Sequence, residues 1–204
     1  MPGSFGGKEA QGRGGVKAPI RVNIAFERGD ASMSRRPQPG EFAAFFEGYL
    51  SLVPEDDVQN ALKTQMAEVR RVASAVGPDR ETYRYAPGKW SIREMLGHVG
   101  DGERIFGHRA FCISRNEKAS LPGFDENAYV ANARFNERSL GTLVDELDAL
   151  RGVHLSLFSS LSDEEWSRKG TANGNPVSVA ALAFMMVGHV RHHLKVLRTK
   201  YGIA

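Results

Sequence analysis

Four stretches of this chain repeat apolar residues every three or four positions, and that pattern restricts it to packed helices. Val58, Leu62, Met66, Val69, Val72 and Val76 form the first stripe. Ile92, Met95, Leu96, Val99, Ile105, Phe106, Ala110 and Ile113 form the second. Leu140, Leu143, Val144, Leu147, Leu150, His154, Leu157, Phe158 and Leu161 form the third. The fourth runs through Leu182, Met185, Met186, His189, His193, Val196 and Leu197. Residues at these spacings share one helix face, and an apolar face must be buried against another. No alternating strand pattern stands out, so the expected fold is all-α, a four-helix bundle.

Local stop and start signals agree with those stripes. Glu55-Asp56-Asp57 places negative charge at the start of the first long helix, where the helix dipole favours it. Gly77-Pro78 ends that helix. Ser91-Ile92-Arg93-Glu94 and Ser162-Asp163-Glu164-Glu165 both read as capping boxes. Asn175-Pro176 reads as an N-cap followed by proline at the first helical position, with Gly202 closing the last helix after Tyr201. Accessory helices are expected around Phe42–Leu50, at Trp166 and within residues 117–136. The last of these is a connection long enough to cover something.

Composition matters mainly at the N-terminus. Residues 1–40 hold eight glycines and seven Lys/Arg against three acids, a net charge of +4. The segment has too little apolar surface to offset its ordering entropy and is expected to be a disordered basic tail. Met33 is a candidate start within it. The whole chain carries +3, so residues 41–204 come to −1. That near-neutral domain leaves no basic stripe for a nucleic acid. No segment is long and apolar enough to cross a bilayer. The single cysteine, Cys112, fits a reduced, cytoplasmic protein.

The chemistry-bearing residues are histidines. His189 and His193 stand one helical turn apart on an apolar face, a spacing that can grip one divalent ion. His98 lies at the edge of the second stripe, and Gly102 is expected to leave open space beside its imidazole. If the second and fourth long helices are neighbours, three imidazoles converge on a site with an open position. Val190 follows His189 where a zincin would have Glu, and the paired Glu-x-x-His of di-iron bundles is absent. Asp101 is the nearest candidate general base, with Glu103 a weaker one. His154 reads as a hydrogen-bonded core histidine, and His108 and His192 point elsewhere.

Pro87-Gly88-Lys89-Trp90-Ser91-Ile92-Arg93-Glu94, then His98, then Gly188-His189 through His193, resemble the DinB-like (damage-inducible) superfamily of metal-binding bundles. Leu121-Pro122-Gly123-Phe124-Asp125 and Thr171-Ala172-Asn173-Gly174-Asn175-Pro176-Val177 are similar to its metal-dependent hydrolase branch. The resemblance spans roughly Phe42 to Tyr201. It implies an up-down-down-up bundle and one zinc or nickel ion held by His98, His189 and His193. It also implies a small-molecule substrate, with low-molecular-weight thiols used by some relatives. Gly100, Gly102 and His154 depart from the family's usual residues. Two functions follow as expectations. One is an enzyme of thiol transfer or metal-assisted hydrolysis. The other is a non-catalytic module in which the metal fastens helices, within one chain or at a homodimer.

Overall fold

The computed structural model describes residues 35–204. Four long helices carry the fold: α2 (Val58–Ser74), α3 (Ile92–Ser114), α5 (Leu140–Ser159) and α7 (Val179–Tyr201). Three short ones decorate it: α1 (Glu47–Leu50), α4 (Glu126–Asn132) and α6 (Asp163–Ser167). The four apolar stripes meet in the middle. Leu62, Val72, Ile92, Ala110, Leu147, Phe158, Leu182 and Leu197 are all buried.

Contacts along the helices fix their directions. Arg70, late in α2, pairs with Asp145 and Asp148, early in α5, while Gln59 meets Ser159 at the other end. These two helices are therefore antiparallel. Tyr201 donates its hydroxyl to the Trp90 carbonyl, and His98 meets His189, so α3 and α7 are antiparallel as well. Arg104 pairs with Glu146, and one turn on Gly107 lies against the His154 ring, so α3 and α5 run parallel. The bundle is up-down-down-up, and residues 115–139 provide the long return that two parallel neighbours require.

One buried polar network ties all four helices together. Arg151 donates from Nε and Nη2 to the two carboxylate oxygens of Glu103, at 2.6 and 2.9 Å. Its Nη1 donates to the Leu62 carbonyl and to Gln65 Oε1. Gln65 in turn donates from Nε2 to the Val187 carbonyl at 2.9 Å. Burial alone would raise the Glu103 carboxyl, but the Arg151 guanidinium beside it holds it below its ordinary range. His154 joins through Nδ1, 3.3 Å from Glu103 Oε1. Glu103 is thus committed to structure, which removes it as a candidate base, and His154 is the hydrogen-bonded core residue expected.

The helix boundaries follow their caps. Asp57, Ser139 and Ser178 each accept a backbone N–H from the first turn of the helix they start. Both capping boxes form as expected, at Ser91 with Glu94 and at Ser162 with Glu165. Gly202 adopts φ 65° and ends α7, a conformation that costs glycine little.

Two expectations need correction. The chain contains an antiparallel hairpin, β1 (Lys169–Ala172) and β2 (Asn175–Ser178). Asn173 and Gly174 turn it with φ 51° and 73°, the positive values that a two-residue hairpin loop demands. Asn175 and Pro176 therefore lie in a strand, and Ser178, not Asn175, caps α7. The strands are too short, and too poor in branched side chains, to announce themselves by alternation. Residues 35–40, read as part of the tail, instead pack on the domain. Arg36 donates to the Val53 carbonyl and lies over the Phe184 ring at 5.0 Å. Arg35 pairs with the buried Glu41. The expectation of disorder for the rest of the tail falls outside the described residues.

Candidate metal centre

The antiparallel contact of α3 and α7 brings His98, His189 and His193 together. His189 Nε2 lies 3.0 Å from His98 Nε2 and 3.0 Å from His193 Nε2. All three rings are buried, at 4–7 % exposure. No other His, Cys, Asp or Glu among the described residues joins the group.

Packing sets each ring. Trp90, just before the Ser91 cap, lies 4.6 Å from the His98 ring, centroid to centroid. Phe106 and Tyr49 stand edge-on to His189 at 5.6 and 5.5 Å. His192 crosses His193 at 5.0 Å. Gly102 has a different role from the one its small size suggested. A Cβ there would sit 2.5 Å from His189 Cε1, so the place is filled by the imidazole of His189 and is not open space beside His98. Gly188 likewise lets α7 meet the Tyr49 backbone.

The cluster fits a divalent ion. Burial lowers the His98 pKa to about 4 and pushes His189 and His193 well below the ordinary histidine value. All three are then neutral at pH 7, with lone pairs free to coordinate. Nitrogens ~2.1 Å from a tetrahedral ion stand ~3.4 Å apart, close to the spacing observed here. Hydrogen bonding alone serves the cluster poorly. One imidazole nitrogen carries either a proton or a lone pair, so His189 Nε2 cannot complete both contacts. Ligating histidines usually hydrogen-bond through the other ring nitrogen. His193 Nδ1 has no such partner among the described residues, and its orientation rests on ring packing.

A cavity of about 250 Å³ opens on His98 and His189. Its walls come from elements remote in sequence: Phe46 and Tyr49 of the α1 region, Phe106 and Arg109 of α3, Phe124 and Glu126 of the long connection, and Asn173 and Asn175 of the hairpin. Most of these were missed from sequence. Arg109 and Tyr49 carry no local signal, whereas the Asn-Gly turn and the length of the connection did mark their segments.

Asp101 does not line this cavity. It sits on the side of α3 that faces α5, with Arg104, Glu146 and Arg138 as its charged neighbours. Burial raises its carboxyl, against the pull of Arg104. His108 is exposed beside Cys112.

Fold and cluster together define a helical bundle with a three-histidine pocket, and residues 61–197 match the DinB superfamily, to which the chain belongs. The sequence is 25% identical over 150 residues to the "putative metal-dependent hydrolase OB0413" of Oceanobacillus iheyensis, covering 70% of this chain and 86% of that protein. Among solved structures, YfiT from Bacillus subtilis superposes with a TM-score of 0.63 at 17% identity, covering 73% of this chain and 88% of the other. YfiT is described as a probable metal-dependent hydrolase with an unusual four-helix bundle topology. A mycothiol-dependent maleylpyruvate isomerase superposes with a TM-score of 0.58 at 15% identity, covering 76% of this chain and 63% of the other. At those identities the two structures speak to the fold alone. Among the described residues, no helix is long and apolar enough to cross a membrane.

Proposed function

We propose that this chain is a metal-dependent enzyme that acts on a small molecule in the cavity, by thiol transfer or by hydrolysis. His98, His189 and His193 hold one zinc or nickel ion. When bound, that ion would supply Lewis acidity to a thiol or a water. The observation that carries this reading is the cavity. A metal that only fastened α3 to α7, or one chain to a second copy, would need no 250 Å³ space against two of its ligands.

The chain's own residues do the rest. Buried neutral imidazoles offer their lone pairs without competing protons. Phe46, Phe106 and Leu182 give the cavity an apolar face that limits water around a bound reactant. Tyr49, whose phenol is pushed up by burial, keeps its proton at neutral pH beside His189. Asp101 is given no step, because its carboxylate faces Arg104 and not the cavity. Asp101→Asn is expected to leave turnover within a fewfold of the parent, whereas a working general base contributes ~10²–10⁴-fold.

Cobalt substitution tests the reading. About one ion per chain is expected, and His193→Ala should abolish stoichiometric binding while the helical content survives. Titration of the cobalt protein with a small thiol should perturb its visible absorption if the free position accepts sulfur. An unperturbed spectrum, with turnover of ester or amide substrates, selects hydrolysis. A spectrum that no thiol changes, no turnover and a large loss of stability on metal removal would establish the fastener instead.

A further inference from the structure

Arg109 is the one charged side chain buried in the cavity wall, and the metal reading does not use it. It is 6% exposed. Its Nη2 donates to the Pro122 carbonyl at 2.7 Å, a neutral acceptor that satisfies one of its five N–H groups. No carboxylate among the described residues pairs with it. Arg151, the other buried arginine among the described residues, is compensated by Glu103. A desolvated guanidinium left without a counter-charge is costly, and burial is the influence acting on its pKa. Its remaining N–H groups are not sealed away as unpartnered buried atoms. They belong to a residue that lines the cavity.

Helix geometry places this charge relative to the histidines. His189 packs on α3 at Gly102, and Arg109 follows two turns later on nearly the same face, about 10 Å along the axis. Phe106 lies between them and stands edge-on to His189. The wall thus reads as histidine cluster, aromatic floor, guanidinium. The cavity lining also includes Glu126, an exposed acid at the first position of α4. Asn173 and Asn175 of the hairpin add amide groups.

The geometry points to an anionic substrate: Arg109 receives a carboxylate at one end of a small molecule whose reacting centre lies at the three histidines, further along the same cavity wall. The planar guanidinium fork matches a carboxylate, and the unused donors supply charge-assisted hydrogen bonds. The assignment rests on the proposed metal pocket for the other end of the molecule. Arg109 itself is a binding residue that needs no metal to act.

Succinate is the probe, with its uncharged diamide as control, titrated calorimetrically into zinc-loaded and metal-free protein. Succinate should bind at least tenfold more tightly than the diamide, and added salt should narrow the gap. Arg109→Gln should weaken succinate about 10- to 100-fold, the loss expected for hydrogen bonds to a charged group, and leave the diamide unchanged. Glu126→Gln removes a repelling charge from an exposed position and should tighten succinate severalfold at low salt. In metal-free protein, where no zinc can hold the anion, a purely structural arginine would not produce that gain. Succinate binding equal to the diamide's, or equal in Arg109→Gln and parent, overturns the assignment. Should Arg109→Gln fail to fold, the Glu126→Gln arm decides, and unchanged affinity there overturns it. Zinc bound without succinate leaves the metal reading standing and sinks this one; succinate bound without any metal uptake does the reverse.

Discussion

Gly102→Ala separates helix stability from the metal pocket, because it moves the two in opposite directions. The added methyl would lie 2.5 Å from His189 Cε1 and 2.8 Å from Nδ1. Carbon atoms in ordinary contact stand ~3.5–4.0 Å apart, so the ring must retreat by about 1 Å. Ligand distances tolerate only ~0.2 Å. Overpacking of this kind costs ~1–3 kcal/mol. If the cost falls on the metal-loaded arrangement, affinity drops roughly 5- to 150-fold, at ~1.4 kcal/mol per tenfold. Without metal only its packing on Tyr49 and Phe106 holds the ring, and no ligand distance opposes its turning aside. There alanine gains ~0.5–1 kcal/mol over glycine in the helix interior. Competition with a chelator measures the first effect, and thermal melts with and without metal measure the second. Gly100→Ala is the control, since its Cβ would meet only Arg104 Nη1 at 3.5 Å. Wild-type metal affinity in Gly102→Ala would refute the placement of His189 against α3.

Two further predictions concern the core and pH. Arg151→Met leaves Glu103 buried without its partner and should cost ~3–5 kcal/mol in denaturant melts. A loss under ~1 kcal/mol would show that the network linking the four helices is dispensable. Metal-free protein should lose stability in acid. The native state holds its buried histidines neutral, while the unfolded chain takes up protons below the ordinary value near ~6.5. The contribution is intact above that pH and is lost as pH falls towards about 4, where His98 itself protonates. His98 alone accounts for about 3 kcal/mol over that window. Melting midpoints flat between those limits would contradict buried, neutral imidazoles.

Much of this fold was legible because its signals are local. A stripe at helical spacing, a capping box at Ser91 and a glycine at 202 act within one or two turns, so sequence neighbours suffice to read them. The same holds for His189 and His193, one turn apart on an apolar face. His98 needed more, since nothing within α3 says that it will face α7. The sequence placed it at the edge of an inward stripe, where it joins the other two only if its helix neighbours theirs, and the family resemblance implied that pairing.

The rest depended on which surfaces meet. Asp101 looked close to His98 by helical phase, yet an offset of three residues turns its carboxylate towards Arg104 and α5. Glu103 was a candidate base until Arg151, far along the chain, claimed it. Gly102 was taken for empty space, and the packed helix filled that space with His189. The hairpin carried only a turn signal, and residues 115–139 only a turn and one short helical piece. Docked against α1 and α3, they become the walls of a cavity in which Arg109 is an uncompensated charge. The sequence by itself determined the long helices, most of their caps and the histidine pair, because periodicity and capping are energies of neighbours. Tertiary structure alone decided the cavity, the partner of each buried charge and the side of α3 that meets α7, because burial and convergence are properties of residues distant in the chain.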